Sequence, residues 1–166
     1  MLNYKKKSSG KPKQESDIYR VESNYKDKRL QDMFLILKAN VCDLNSALVT
    51  KCITGTEQDF IMLMNRARDF IGYSFAGLSA EDEEQLLNMF LECVFGYYVL
   101  TPLIVSKEVS DIKVLDYNHI VVKANGERYV ADVTFFDEED YKSWYDRILR
   151  IHRLSKVAYG NGDFTL

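Results

Sequence analysis

Apolar positions recur at helical spacing through the first half of the chain and at a spacing of two through much of the second. Leu30, Met33, Phe34, Leu37, Val41, Leu44 and Leu48 repeat every three or four residues, which predicts an amphipathic helix that begins near Asp27. Thr54-Gly55-Thr56 interrupts it. Thr56 has the character of an N-cap, with Asp59 three residues on, and Phe60, Leu63, Met64, Ala67, Phe70 and Ile71 form a second stripe. The stretch 72–79 is the next break. Ser79 can cap a third helix, and the carboxylates of Glu81–Glu84 suit its positive N-terminal end. Leu86, Leu87, Met89, Phe90, Cys93 and Val94 are its predicted buried side, and Gly96 its end.

From Val109 the period changes to two. Ile112 and Val114 alternate with Asp111 and Lys113, and Asp116-Tyr117-Asn118 reads as a turn. His119–Val130 reads as two strands joined at Asn125-Gly126, the dipeptide that best accepts the positive φ of a tight hairpin turn. Tyr129, Ala131, Val133 and Phe135 share one face. Asp137 then caps a fourth helix with Glu138, Glu139 and Asp140 in its first turn, and Tyr141, Trp144, Tyr145, Ile148 and Leu149 on its core side. Gly160-Asn161-Gly162 predicts a further hairpin or strand start. Helices come first, then a meander, then a helix laid on the sheet. With no repeated strand–helix–strand alternation the fold class is α+β.

Composition sharpens this picture in three places. Of 166 residues, 46% are hydrophobic and 13% aromatic, enough for a real core. No apolar run reaches the ~20 residues that span a bilayer, since Thr101-Pro102 breaks the longest one, Glu92–Val105. "MLNYKKKSSG" carries no apolar stretch after its basic start, so no secretory signal is visible and a cytoplasmic protein is expected. The net charge of −3 is unevenly spread. Residues 1–26 hold most of the basic excess and little that is apolar, and are expected to be a disordered tail able to touch anionic surfaces. The acidic remainder argues against a specific nucleic-acid binder. Cys42, Cys52 and Cys93 are odd in number, match no metal spacing and lie in helical patterns, which predicts reduced, buried or half-buried thiols.

Little of this carries chemistry. Gly72–Ser79 spells G-x-x-x-x-G-x-S, but a phosphate-binding loop needs Lys after the second glycine, where Leu78 stands, and a strand before the first. The stretch reads as a helix–helix connection. His119 and His152 have no nucleophile nearby in sequence. The acid runs 81–84 and 137–140 are accounted for by helix capping. Arg147, Arg150 and Arg153 lie at i, i+3 and i+6 on adjoining parts of one helix face. That face is either simply solvated or a contact for an anion or a partner subunit. No metal site and no catalytic residue is assigned.

The segment "FGYYVLTPLIVSKEVSDIKVLDYNHIVVKANGERYVADVTFFDEEDYKSWYDRIL" resembles the N-terminal domain of the CpaF-type secretion ATPases. These are the VirB-like motors of type II and type IV secretion, pilus assembly and conjugation. The likeness covers about residues 80–155. It rests on Gly96-Tyr97, Pro102-Leu103-Ile104, the strand Ser110–Val114, the strand ending Ala131-Asp132-Val133-Thr134-Phe135, and Asp146-Arg147-Ile148. Leu115-Asp116-Tyr117-Asn118 stands where the family has Asn-Gly-Pro, the turn after Gly96 lacks the family's second glycine and first proline, and the chain contains no Walker A motif.

The resemblance implies a small PAS-like sheet over a motor domain, and a division into residues 1–26 (tail), 27–105 (a helical extension of about three helices) and 106–166 (the α+β domain, incomplete at its C-terminus). It implies a piece of a longer hexameric ATPase that assembles the ring and transmits motion. ATP and Mg would be cofactors of the parent protein and not of this segment. Its partners would be the parent's own motor domain, neighbouring subunits and the membrane platform of the machine, at the inner face of the membrane. Arg147, with Arg150 and Arg153 beside it, would meet ATP or the subunit seam. The competing reading is a stand-alone interaction or adaptor domain that docks through its helices.

Overall fold

A computed structural model describes residues 18–151 and 164–165. The fold is α+β. Six helices, α1 (Lys28–Leu37), α2 (Ser46–Thr54), α3 (Glu57–Ser74), α4 (Ala80–Phe95), α5 (Thr101–Ile104) and α6 (Glu138–Ile151), accompany five strands. The strands are β1 (Ile18–Tyr19), β2 (Val109–Asp116), β3 (His119–Ala124), β4 (Glu127–Ala131) and β5 (Phe164–Thr165), arranged β1-β4-β3-β2-β5.

Local chemistry sets the ends of these elements. Thr56 Oγ1 and the Asp59 carboxylate form a reciprocal capping box at α3. Ser79 Oγ accepts from the Asp82 amide at 3.1 Å, Asp137 Oδ1 accepts from the Asp140 amide at 2.8 Å, and Gly96 closes α4. The β3–β4 turn places Asn125 and Gly126 at φ of 50° and 88°, the two left-handed positions that the dipeptide predicts. Asn118 N donates to Asp116 Oδ1 at 2.9 Å in the β2–β3 turn.

Two expectations fail at the N-terminal end. The tail does not run to residue 26. Ile18 and Tyr19 pair in parallel with Val130 and Ala131, so the sheet is mixed rather than a pure antiparallel meander. Asp132 holds this segment: its Oδ1 accepts from Val21 N at 3.0 Å, and its Oδ2 from Lys26 Nζ at 2.6 Å. Tyr25 is buried and donates to the Met89 carbonyl at 2.9 Å. Low hydropathy over 1–26 concealed single aromatic and aliphatic anchors that need no periodicity. Residues 1–17 lie outside the described residues.

The first long helix also fails to continue as read. After Leu37 the backbone widens into a π-helical segment, Lys38–Asp43, with Leu44 N bonding back five residues to Ala39 O at 3.3 Å. One extra residue in the turn shifts the phase of everything after it. The buried positions accordingly move from the predicted Leu44 and Leu48 to Cys42 and Val49, and Leu44 is left 77% exposed. The chain then bends by 81° into α2.

The helical region and the sheet share one apolar core, so the expected boundary near residue 105 is not a break in packing. Tyr98 is the joint. It packs edge-on against Tyr25 and Phe135, at 5.0 and 5.8 Å between ring centroids. Phe135 in turn meets Trp144 of α6 at 5.2 Å. Trp144 is buried, as its central place in the α6 stripe predicts. Tyr98 holds a left-handed backbone, φ 55°, three residues past the end of α4. Such a conformation costs roughly 1–2 kcal/mol for a residue with a Cβ, and three aromatic contacts hold it there. No single helix is long and apolar enough to cross a membrane among the described residues.

Candidate functional site

Charged and polar side chains meet apolar core where α6 lies against the π-helical end of α1 and against α4. Lys38, whose N–H still bonds back to Phe34 O, closes α1 on the flank of its buried face. Its ammonium lies 3.4 Å from Asp140 Oδ1 and 3.7 Å from Asp43 Oδ2. Both Lys38 and Asp140 are largely buried, with side chains 12% and 5% exposed. Asp140 Oδ2 also accepts from Phe136 N at 3.1 Å, which ties the α6 entry to this pair. Burial works against the Lys38 ammonium, but its neighbours, Asp140 first among them, more than offset it, so its pKa lies above the ordinary lysine value. The pair borders an open cleft of about 250 Å³, flanked by Leu35, Phe136, Asp137 and Glu139.

Deeper in the seam, Arg147 Nη2 reaches Cys93 Sγ at 3.4 Å. Burial pushes the Cys93 thiol up to about 11, although Arg147 pulls the other way, and burial raises Cys42 as well. Both thiols therefore stay protonated near neutral pH and are poor nucleophiles. Tyr25 Oη lies 3.2 Å from Glu92 Oε2, and burial raises both of these groups. The seam is thus built to hold charges in place. Among the described residues it brings together no nucleophile with a base that would activate it. No group of three or more His, Cys, Asp or Glu side chains able to hold a metal ion occurs among the described residues.

The two described arginines of the three singled out by spacing differ in exposure. Arg147 is half-buried against α4, Arg150 is exposed, and Arg153 lies outside the described residues. Helical spacing placed Arg147 and Arg150 on adjoining strips correctly, but only packing decides which strip faces the core. His119 is exposed at the start of β3; His152 and the 160–162 turn lie outside the described residues. Gly72 belongs to α3, so the G-x-x-x-x-G-x-S stretch joins two helices. All three cysteines are free, with Cys42 and Cys93 buried and Cys52 half-buried. Sequence reasoning missed Lys38 and Asp140. Asp140 belongs to the acid run that helix capping accounts for, and Lys38, on the flank of the α1 apolar stripe, meets it only through packing between elements far apart in sequence.

Neither a protein-family model nor a curated protein matches the chain.

Proposed function

We infer that the chain is the N-terminal assembly module of a secretion-type motor ATPase and does not itself carry the hydrolytic site. One observation carries this reading: the residues that resemble the CpaF-type domain are the ones that build the sheet and its cover. Ile112, Val114, Ala131, Val133, Phe135 and Ile148 are all buried in one core. The segment from Gly96 to Leu149 runs in the family's order of turn, strand, hairpin and acid-capped helix. In this role the sheet and α6 form a rigid body that a motor domain can push. Its partners are that motor domain and the neighbouring subunits of a ring, and nucleotide and Mg belong to the parent. The decisive experiment is to read the coding sequence past Leu166. A G-x-x-x-x-G-K-[ST] motif within the next couple of hundred codons supports the reading; a reading frame without one overturns it.

A second reading, a stand-alone adaptor, has its own observation. Leu44 and Met62, 77% and 49% exposed, line an open cleft of about 400 Å³ between α2 and α3, edged by Lys51 and Arg66. Exposed apolar side chains beside cations suit a docking surface. A reading frame that lacks the phosphate-binding motif, together with a partner whose affinity falls on Leu44→Glu, would favour it.

A further inference from the structure

Two clefts of opposite charge adjoin where the π-helical segment turns into α2. In the cleft between α2 and α3, Leu44 and Met62 stand exposed, and the charged residues that line it are Lys51 and Arg66. The cleft beside α6 is the reverse. Phe136, 52% exposed, shares its lining with Asp43, Asp137, Glu139 and Asp140, against the one cation Lys38. Lys38 is already matched by Asp140 and Asp43, whereas the carboxylates of Asp137 and Glu139 remain at the surface. The two clefts meet at Asp43 and Leu44, consecutive residues that line one each. One continuous face therefore holds an exposed aromatic ring among acids next to an apolar cleft edged by cations.

Such a face is complementary to itself. Turned about a two-fold axis near Asp43 and Leu44, the acidic half of one copy comes over the cationic half of the other, and the reverse contact forms at the same time. An interface in which residue i meets j and j meets i closes at two copies. Opposite charges at its rim fix the register and repel a misplaced partner. We propose that this face joins two copies of the chain. Phe136 of each copy seats against Leu44 and Met62 of the other, and Asp137 and Glu139 come to Lys51 and Arg66. The cleft of about 400 Å³ has room for a phenyl ring, and apolar side chains exposed side by side mark a surface that is covered in use.

The proposal rests on the α2–α3 cleft being a docking surface, as the adaptor reading has it, and not on a motor domain. Sedimentation equilibrium on the 166-residue chain at low salt should show the mass rising towards twice that of one chain through the micromolar range, and the association should weaken as salt is raised. One variant carries Lys51→Glu with Arg66→Glu. A second carries Glu138→Lys with Glu139→Lys, which leaves the Asp137 cap of α6 in place. Either variant alone should dimerise about tenfold or more weakly, with melting temperature near that of the wild type because all four positions are exposed. Mixed in equal amounts, the two should form the dimer again, since each acidic half then meets a basic one in both contacts. Leu44→Ser and Phe136→Ser should each weaken the dimer without a change in charge. A chain that stays monomeric through the micromolar range, a dimer indifferent to both charge reversals, or a mixture that does not recover would each overturn the proposal. A monomeric chain that still loses a different protein on Leu44→Glu would overturn it and leave the adaptor reading standing.

Discussion

Lys38 and Asp140 face each other at 3.4 Å across the seam between the π-helical end of α1 and the first turn of α6. They are 102 residues apart in sequence (140 − 38) and both are largely out of water. Removing one partner of a buried pair leaves the other uncompensated, so Lys38→Met should cost about 3–5 kcal/mol in urea unfolding. The double change Lys38→Met with Asp140→Leu should recover much of that loss.

The same pair gives a pH signature. The Lys38 pKa is raised in the folded state. Its contribution is therefore fully present below the unfolded lysine pKa and is lost as pH rises through the folded one. Melting temperature measured through the alkaline range, above about pH 10, should fall more steeply for the wild type than for Lys38→Met. The raised tyrosines are common to both proteins, so the difference isolates the lysine.

Trp144 is 1% exposed and stacked among Phe135 and Tyr141. Trp144→Ala should cost roughly 3–5 kcal/mol. A loss under about 1 kcal/mol in chemical denaturation would mean that α6 does not pin the sheet.

Asp132 is the acceptor for both Val21 N and Lys26 Nζ. Asp132→Ala should destabilise the protein by about 1–3 kcal/mol. It should also speed exchange of the Val21 amide more than that of Val122 in the middle of the sheet, and equal acceleration at the two would show that the N-terminal strap is not separately held.

Arg147 and Arg150 should separate. Arg150→Ala, at an exposed position, should stay within about 0.5 kcal/mol of wild type. Arg147→Ala should lower stability measurably by removing the cation beside Cys93. In a full-length parent, lowered turnover or ring assembly for Arg150→Ala alone would mark a seam contact free of any folding effect.

Much of the fold was legible because it is written in local chemistry. Thr56, Ser79 and Asp137 are caps whose hydroxyl or carboxylate suits free amides, and Asn125-Gly126 is a turn that few other dipeptides satisfy. The alternation of Ile112 and Val114 with Asp111 and Lys113 named the buried face of β2. What was not legible depends on distance in sequence or on a change of helical phase. The pairing of Ile18 with Val130 is too short to show a period, and the inserted residue at Lys38–Asp43 has no compositional signature. The polar seam was hidden by distance in sequence, since Lys38 and Asp140 meet only when α6 packs against the end of α1.

The parallel pairing of β1 with β4 also bears on synthesis. Ile18 must wait for Val130, 112 residues later (130 − 18), and translation at ~5–20 residues per second makes that wait roughly 6 to 22 seconds. Throughout it the helices can form and collapse, but Tyr19 and Val21 have no sheet to join. The beginning of the chain is thus among the last parts to find its place. A ribosome-bound intermediate stalled before β4 should present residues 18–21 to proteases that the finished protein denies.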